Sequence, residues 1–136
     1  MEQVLIIIGA SIFGVLGSIH LIYTFFTNKF EAYDSAVTEA MKETSPVLTR
    51  ETTIWRAWVG FNASHSLGAM LFCGIYVPLA VSHFIVIEQS VWFSTLPVLI
   101  SLSYLALAKL YWFKIPLTGL MISTVCFMGA AVSINA

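Results

Sequence analysis

Charge is what this sequence has least of. Only 10% of its 136 residues are Asp, Glu, Lys or Arg, while 59% are hydrophobic; a soluble domain carries about 25% charged residues. A chain so poor in charge cannot clothe a water-facing surface, which excludes an ordinary soluble domain. The net charge is −1 with no basic tract, so nucleic acid finds no electrostatic footprint here. There are two cysteines, Cys73 and Cys126, and no C-x-x-C motif of the kind a thiol–disulfide enzyme uses. Placed on helices, the two differ in depth by roughly 9 Å, so they are expected to be small apolar fillers, not a bridge. H-E-x-x-H, G-x-S-x-G and paired acidic motifs are also missing, and no acidic residue lies deep within an apolar stretch. Hydrolytic chemistry therefore has no recognisable machinery, and nothing in the motif set makes the chain an enzyme.

What the sequence does have is long uncharged runs: residues 3–28, 57–87, 89–108 and 115–136. Each meets the roughly 20 residues a helix needs to span a bilayer. Strands of a membrane barrel would be about 9–11 residues with alternating polarity, and nothing alternates for long. The expected fold is an all-α membrane protein, one domain over residues 1–136, with spans near 4–26, 54–76, 91–113 and 116–135. The first segment opens Met1, Glu2, Gln3 without a basic leader, and its apolar run exceeds that of a cleavable signal. It is expected to stay as a true helix.

Orientation follows from the basic residues. Lys29, Lys42, Arg50 and Arg56 lie between spans one and two, and Lys109 and Lys114 at the junction of spans three and four. The opposite side has no Lys or Arg, an asymmetry that puts both termini outside the cytoplasm. The connection between spans one and two is long. Phe30, Tyr33, Val37, Ala40 and Met41 recur there at three- and four-residue steps, with Glu31, Asp34, Ser35, Glu39 and Lys42 between them. This predicts a short amphipathic helix capping the bundle on the cytoplasmic side. Ser45 followed by Pro46 reads as the start of the second long helix. Trp55, Arg56 and Trp58 suit the membrane interface. Gly9, Gly14, Gly17 and Ser18 in span one, and Gly60, Ser64 and Gly68 in span two, are small residues that let membrane helices approach closely. Pro78 is expected to break the second helix, leaving His83 in an outer connection, and Pro97 to kink the third. Pro116 fits a first turn.

Against this background two histidines stand out. At about 1.5 Å rise per residue, His20 lies roughly 9 Å inside the border near Phe26, and His65 roughly 12 Å inside the border near Ala57. Ionisable groups at such depth face protein or water. His65 shares its helix face with Trp58, Phe61 and Asn62, and His20 shares its own with Gly17 and Thr24. Consecutive antiparallel helices are usually neighbours, so the candidate polar or ligand site comprises His20, Asn62, His65 and Thr24, bordered by Arg56. Three readings follow. One is a polar network that fixes helix register. Another is ligation of haem b or a transition metal by His20 and His65, with Arg56 near a propionate. The third is a small-molecule or proton site. Lys109 either extends the cluster or snorkels outward.

The stretch from Thr49 through Trp55, Arg56, Ala57, Trp58, Val59, Gly60, Phe61, Asn62, Ala63, Ser64, His65, Ser66, Leu67 and Gly68, with Gly17, Ser18, Ile19, His20 and Leu21, resembles an uncharacterised family of small bacterial four-helix integral membrane proteins. The architecture is also loosely similar to DoxX-like membrane proteins. The resemblance implies a multi-pass protein of the bacterial inner membrane and brings no substrate or cofactor with it. The resulting expectation is a structural or accessory protein with the lipid bilayer as its surroundings and a second copy or another membrane protein as partner.

Overall fold

A computed structural model describes residues 1–136, all of the chain. It is all-α, with helices α1 Glu2–Phe26, α2 Ser35–Glu43, α3 Ile54–Ser82, α4 Phe84–Glu88, α5 Val91–Tyr111 and α6 Lys114–Asn135. Four of these, α1, α3, α5 and α6, are long and apolar enough to cross a membrane. The chain is therefore a multi-pass helical membrane protein, as its charge-poor runs require. Two compact units divide it: Met1–Leu16 with Ala69–Ala136, and Gly17–Gly68.

The first unit is a four-helix bundle, formed by the first part of α1, the later part of α3, and α5 and α6. Phe13 of α1 lies at its centre, with ring centroids 5.0 Å from Phe72, 5.2 Å from Tyr104 and 6.3 Å from Phe127, so all four helices meet on one aromatic core. Glycine makes this approach possible. A Cβ on Gly9 would stand 2.6 Å from the Phe127 ring, and one on Gly14 would stand 2.6 Å from Cys73 Sγ. Lipid offers no hydrophobic drive between helices, so such close contact and interhelical hydrogen bonds hold them. Ser123 Oγ donates to the Gly9 carbonyl at 2.6 Å. At the far end Gln3 Nε2 donates to the Ala80 carbonyl (2.8 Å), and Asn135 Nδ2 to Ser94 Oγ (3.0 Å). Cys73 packs as the filler its setting suggested.

Proline behaves differently in the two places where a disturbance was expected. Pro78 does not end α3, which runs on to Ser82. His83 then sits exposed at the junction with α4, a helix occupying what reads in sequence as connection. A membrane helix tolerates an internal proline when neighbours re-satisfy the backbone it frees. Pro97, buried within α5, shows how. Its ring lacks the N–H that would bond the carbonyl of Phe93 four residues back. Tyr76 of α3 supplies the missing donor, its hydroxyl reaching that carbonyl at 3.2 Å.

The second unit holds the end of α1, α2, and the start of α3. Its helix starts differ from expectation. The stretch after Ser45 and Pro46 is a turn, closed by Thr49 N–H to the Pro46 carbonyl at 3.2 Å. The helix begins at Ile54, where Thr53 Oγ1 accepts the Arg56 N–H (3.2 Å) and serves as the cap. Asp34 caps α2 in the same way through the Ala36 N–H (2.9 Å). The short helix expected between the first two spans exists, but its buried face is not the anticipated one. Tyr33, Val37 and Ala40 are exposed and Thr38 is buried, its hydroxyl accepting the Ala32 N–H at 3.0 Å. Lys42 donates to Glu39 (2.8 Å) and lies 5.8 Å from the centre of the Trp55 ring, a cation–π contact between α2 and the start of α3. The Glu39 carboxylate accepting that bond raises the Lys42 pKa, which keeps the ammonium charged. The small residues Gly60, Ser64 and Gly68 are all exposed, and a Cβ on Gly60 would meet nothing within 4 Å.

Candidate functional site

Both intramembrane histidines fall in the second unit, and the structure brings them together. Their ring centroids are 5.5 Å apart with planes inclined at 64°, an edge-to-face contact between α1 and α3. Asn62, one helical turn before His65, is 6% exposed and links the same two helices. Its Oδ1 lies 2.9 Å from His20 Nε2, and its Nδ2 donates to the Trp58 carbonyl at 2.8 Å.

These two bonds fix the proton on the imidazole. A backbone carbonyl only accepts, so the amide must turn its NH₂ group to Trp58 and its oxygen to His20. Oxygen also only accepts, so His20 Nε2 carries the hydrogen and donates it. In the neutral ring Nδ1 is left as the acceptor. The Asn62 amide is thereby used at both ends, and across the chain no buried side-chain nitrogen or oxygen lacks a hydrogen bond. Ser66 Oγ, also buried, donates to the Asn62 carbonyl at 2.9 Å.

A third aromatic group completes the setting. Phe30, from the connection after α1, lies over His20 with centroids 4.5 Å apart. The Trp58 indole N–H donates to the Phe30 carbonyl at 3.2 Å, which holds this part of the connection against α3, and the two rings stand 6.5 Å apart. His20 is thus flanked by Phe30 and His65 and tethered by Asn62. Phe30 was missed as a site residue because it lies outside the apolar spans and its spacing points to a cap-helix face.

The other anticipated members stand apart. Thr24 is on the His20 helix, and its hydroxyl donates to the His20 carbonyl at 2.8 Å, so it is satisfied by its own backbone. Arg56 is exposed, with no carboxylate within 4.0 Å, which suits an interfacial anchor. No third His, Cys, Asp or Glu joins the two histidines in a group able to hold a metal ion. Two imidazoles on one tetrahedral metal would each place a nitrogen about 2 Å from it, with ring centres about 5 Å apart and both nitrogens aimed at one point. The observed rings meet edge to face, and one nitrogen of His20 is already committed to Asn62. A haem between them would also require an opening for the porphyrin. The arrangement as it stands joins two helices through an imidazole N–H and a buried amide.

No protein-family model, curated protein or solved structure matches the chain.

Proposed function

We propose that the chain is a structural or accessory protein of the bacterial inner membrane, in which His20 and Asn62 clasp α1 to α3. The observation that carries this reading is the bond from His20 Nε2–H to Asn62 Oδ1, with the Asn62 amide saturated at its other end by Trp58. Interhelical bonds of this kind specify which faces of membrane helices meet. The six Lys and Arg residues lie on one side of the four spans, which supports termini in the periplasm and the His20 layer in the cytoplasmic half. The sequence resemblance carried by residues 49–68 and 17–21 supports a bacterial inner membrane. An accessory role implies a partner within the bilayer, a second copy or another membrane protein.

The rival reading, haem b or a transition metal at His20 and His65, would draw on Nδ1 of His20, since Nε2 is engaged. Protein purified in detergent from haem-replete, metal-replete cells tests the two. A colourless, metal-free protein that loses thermal stability in both His20→Ala and His65→Ala supports the clasp. A Soret band that disappears in both variants, or unchanged stability in both, overturns it. A proton or small-molecule role would appear instead as a flux across vesicles that His20→Phe abolishes while the helices stay assembled.

A further inference from the structure

The second unit carries a feature the His20 clasp does not explain. In the connection between α2 and α3 the chain makes a turn with Val47 and Leu48 at its tip, 108% and 93% exposed. Aliphatic residues at loop tips are unusual where small and polar ones normally lie. The base of this loop is fixed. Ile54 N–H donates to the Thr44 carbonyl at 2.9 Å, so the loop leaves and returns at the first residue of α3. That residue marks the membrane border, since Trp55, Arg56 and Trp58 follow it directly.

We propose that the Val47–Leu48 turn inserts into the lipid headgroup layer and acts as an interfacial anchor beside the start of α3. The proposal rests on α1 and α3 crossing the membrane, not on the role of the histidines. Its first argument is reach. Val47 is three residues from Thr44, and fully extended chain covers at most about 3.6 Å per residue. Val47 and Leu48 therefore stay within about 11 and 14 Å of Thr44, whose carbonyl is bonded to the border residue, a distance of the same order as the headgroup layer of roughly 5–8 Å outside the hydrocarbon. Lipid is thus an apolar phase within reach of the tip. The second argument is size. Two side chains are far too few for a stable protein interface, which takes about 20–30 residues a side. They are enough to partition into an interface when the rest of the unit already holds them there. The flanks, Lys42 with Glu43 and Arg50 with Glu51, balance in charge, so the apolar pair and not charge would hold the turn in the interface.

The test uses the full chain in vesicles of phosphatidylcholine and phosphatidylglycerol. Leu48→Cys, and separately Val47→Cys, is labelled with a polarity-sensitive fluorophore in a Cys73→Ala, Cys126→Ala background, with Glu43→Cys as the solvent reference. The expected result is a blue-shifted emission, about a twofold loss of quenching by aqueous iodide relative to Glu43→Cys, and quenching by lipids bearing a nitroxide near the headgroup. Iodide quenching equal to the reference, with none from the nitroxide lipids, overturns the proposal. Shielding from both quenchers also overturns it, because a protein surface then covers the turn. If the cysteine-free background does not fold, the same readings are taken with the native cysteines in place, after subtracting the signal of labelled wild type. A failure of the histidine clasp would leave these readings unchanged.

Discussion

The bond between His20 and Asn62 can be isolated by a double-mutant cycle. Asn62→Leu keeps the volume of the buried side chain and deletes both polar ends. His20→Phe keeps a ring between Phe30 and His65 and deletes the donor. In Asn62→Leu the Trp58 carbonyl loses an extra donor, while the His20 N–H loses its acceptor at 2.9 Å. Interhelical hydrogen bonds in membrane proteins average about 0.6 kcal/mol and reach about 1.7. Leaving a donor unsatisfied adds up to about 1–3 kcal/mol when it is fully buried. His20 is only half-buried, so that penalty is partial, and about 1–2 kcal/mol is expected for Asn62→Leu. His20→Phe should cost at least as much, because it leaves the oxygen of the buried Asn62 amide unpaired. The double variant should be less destabilised than the sum of the two, with a coupling of about 1 kcal/mol. For a chain of this size that corresponds to roughly 3–4 °C in Tm. Reversible unfolding in mixed micelles, with helical circular dichroism as the signal, gives all four free energies. A coupling indistinguishable from zero would refute the clasp, because two residues in a working hydrogen bond cannot behave independently.

Three further outcomes follow from the packing. Gly9→Ala should destabilise by about 1–3 kcal/mol through overpacking against the fully buried Phe127 ring, whereas Gly60→Ala should stay within about 0.5 kcal/mol of wild type; equal effects in the same unfolding assay would contradict the contacts described. Ser123→Ala removes the donor to the Gly9 carbonyl and should cost about 1 kcal/mol, read as a lower midpoint in denaturing detergent, while a raised midpoint would show that bond to be unimportant. Single cysteines at Lys42 and Glu88 test orientation: a membrane-impermeant reagent added from the periplasm should label the second and not the first, and the reverse pattern would invert the proposed topology.

How far the sequence could be read differs from residue to residue. The depth of His20 and His65 follows from counting inward at a fixed rise, and Asn62 joins their layer because it lies one turn before His65. Their meeting was therefore foreseeable from two helices alone. Phe30 was not, because a residue in a connecting segment has no periodicity to say which ring it will cover. Thr24 shows the opposite limit. Its position beside His20 was read correctly, but a hydroxyl four residues on from a carbonyl finds its own backbone first. Ser45 and Pro46 satisfied the local pattern of a helix start and formed a turn instead, while Thr53 nearer the apolar run became the cap.

The sequence by itself determined that this is a helical membrane protein with four spans and a polar layer in the first two. Span length, apolar content and depth are properties of one helix in one solvent, and they sum locally along the chain. Only the tertiary structure decided which polar atoms face one another, that Pro78 continues its helix, and that Tyr76 makes good the bond Pro97 cannot form. It also decided that Gly9 and Gly14 are packing sites while Gly60 lies open. All four spans contain small residues, and hydropathy does not distinguish them. The choice among them is made by close-range packing and hydrogen bonding between distant residues, which in lipid replace the hydrophobic effect as the forces that pair helices.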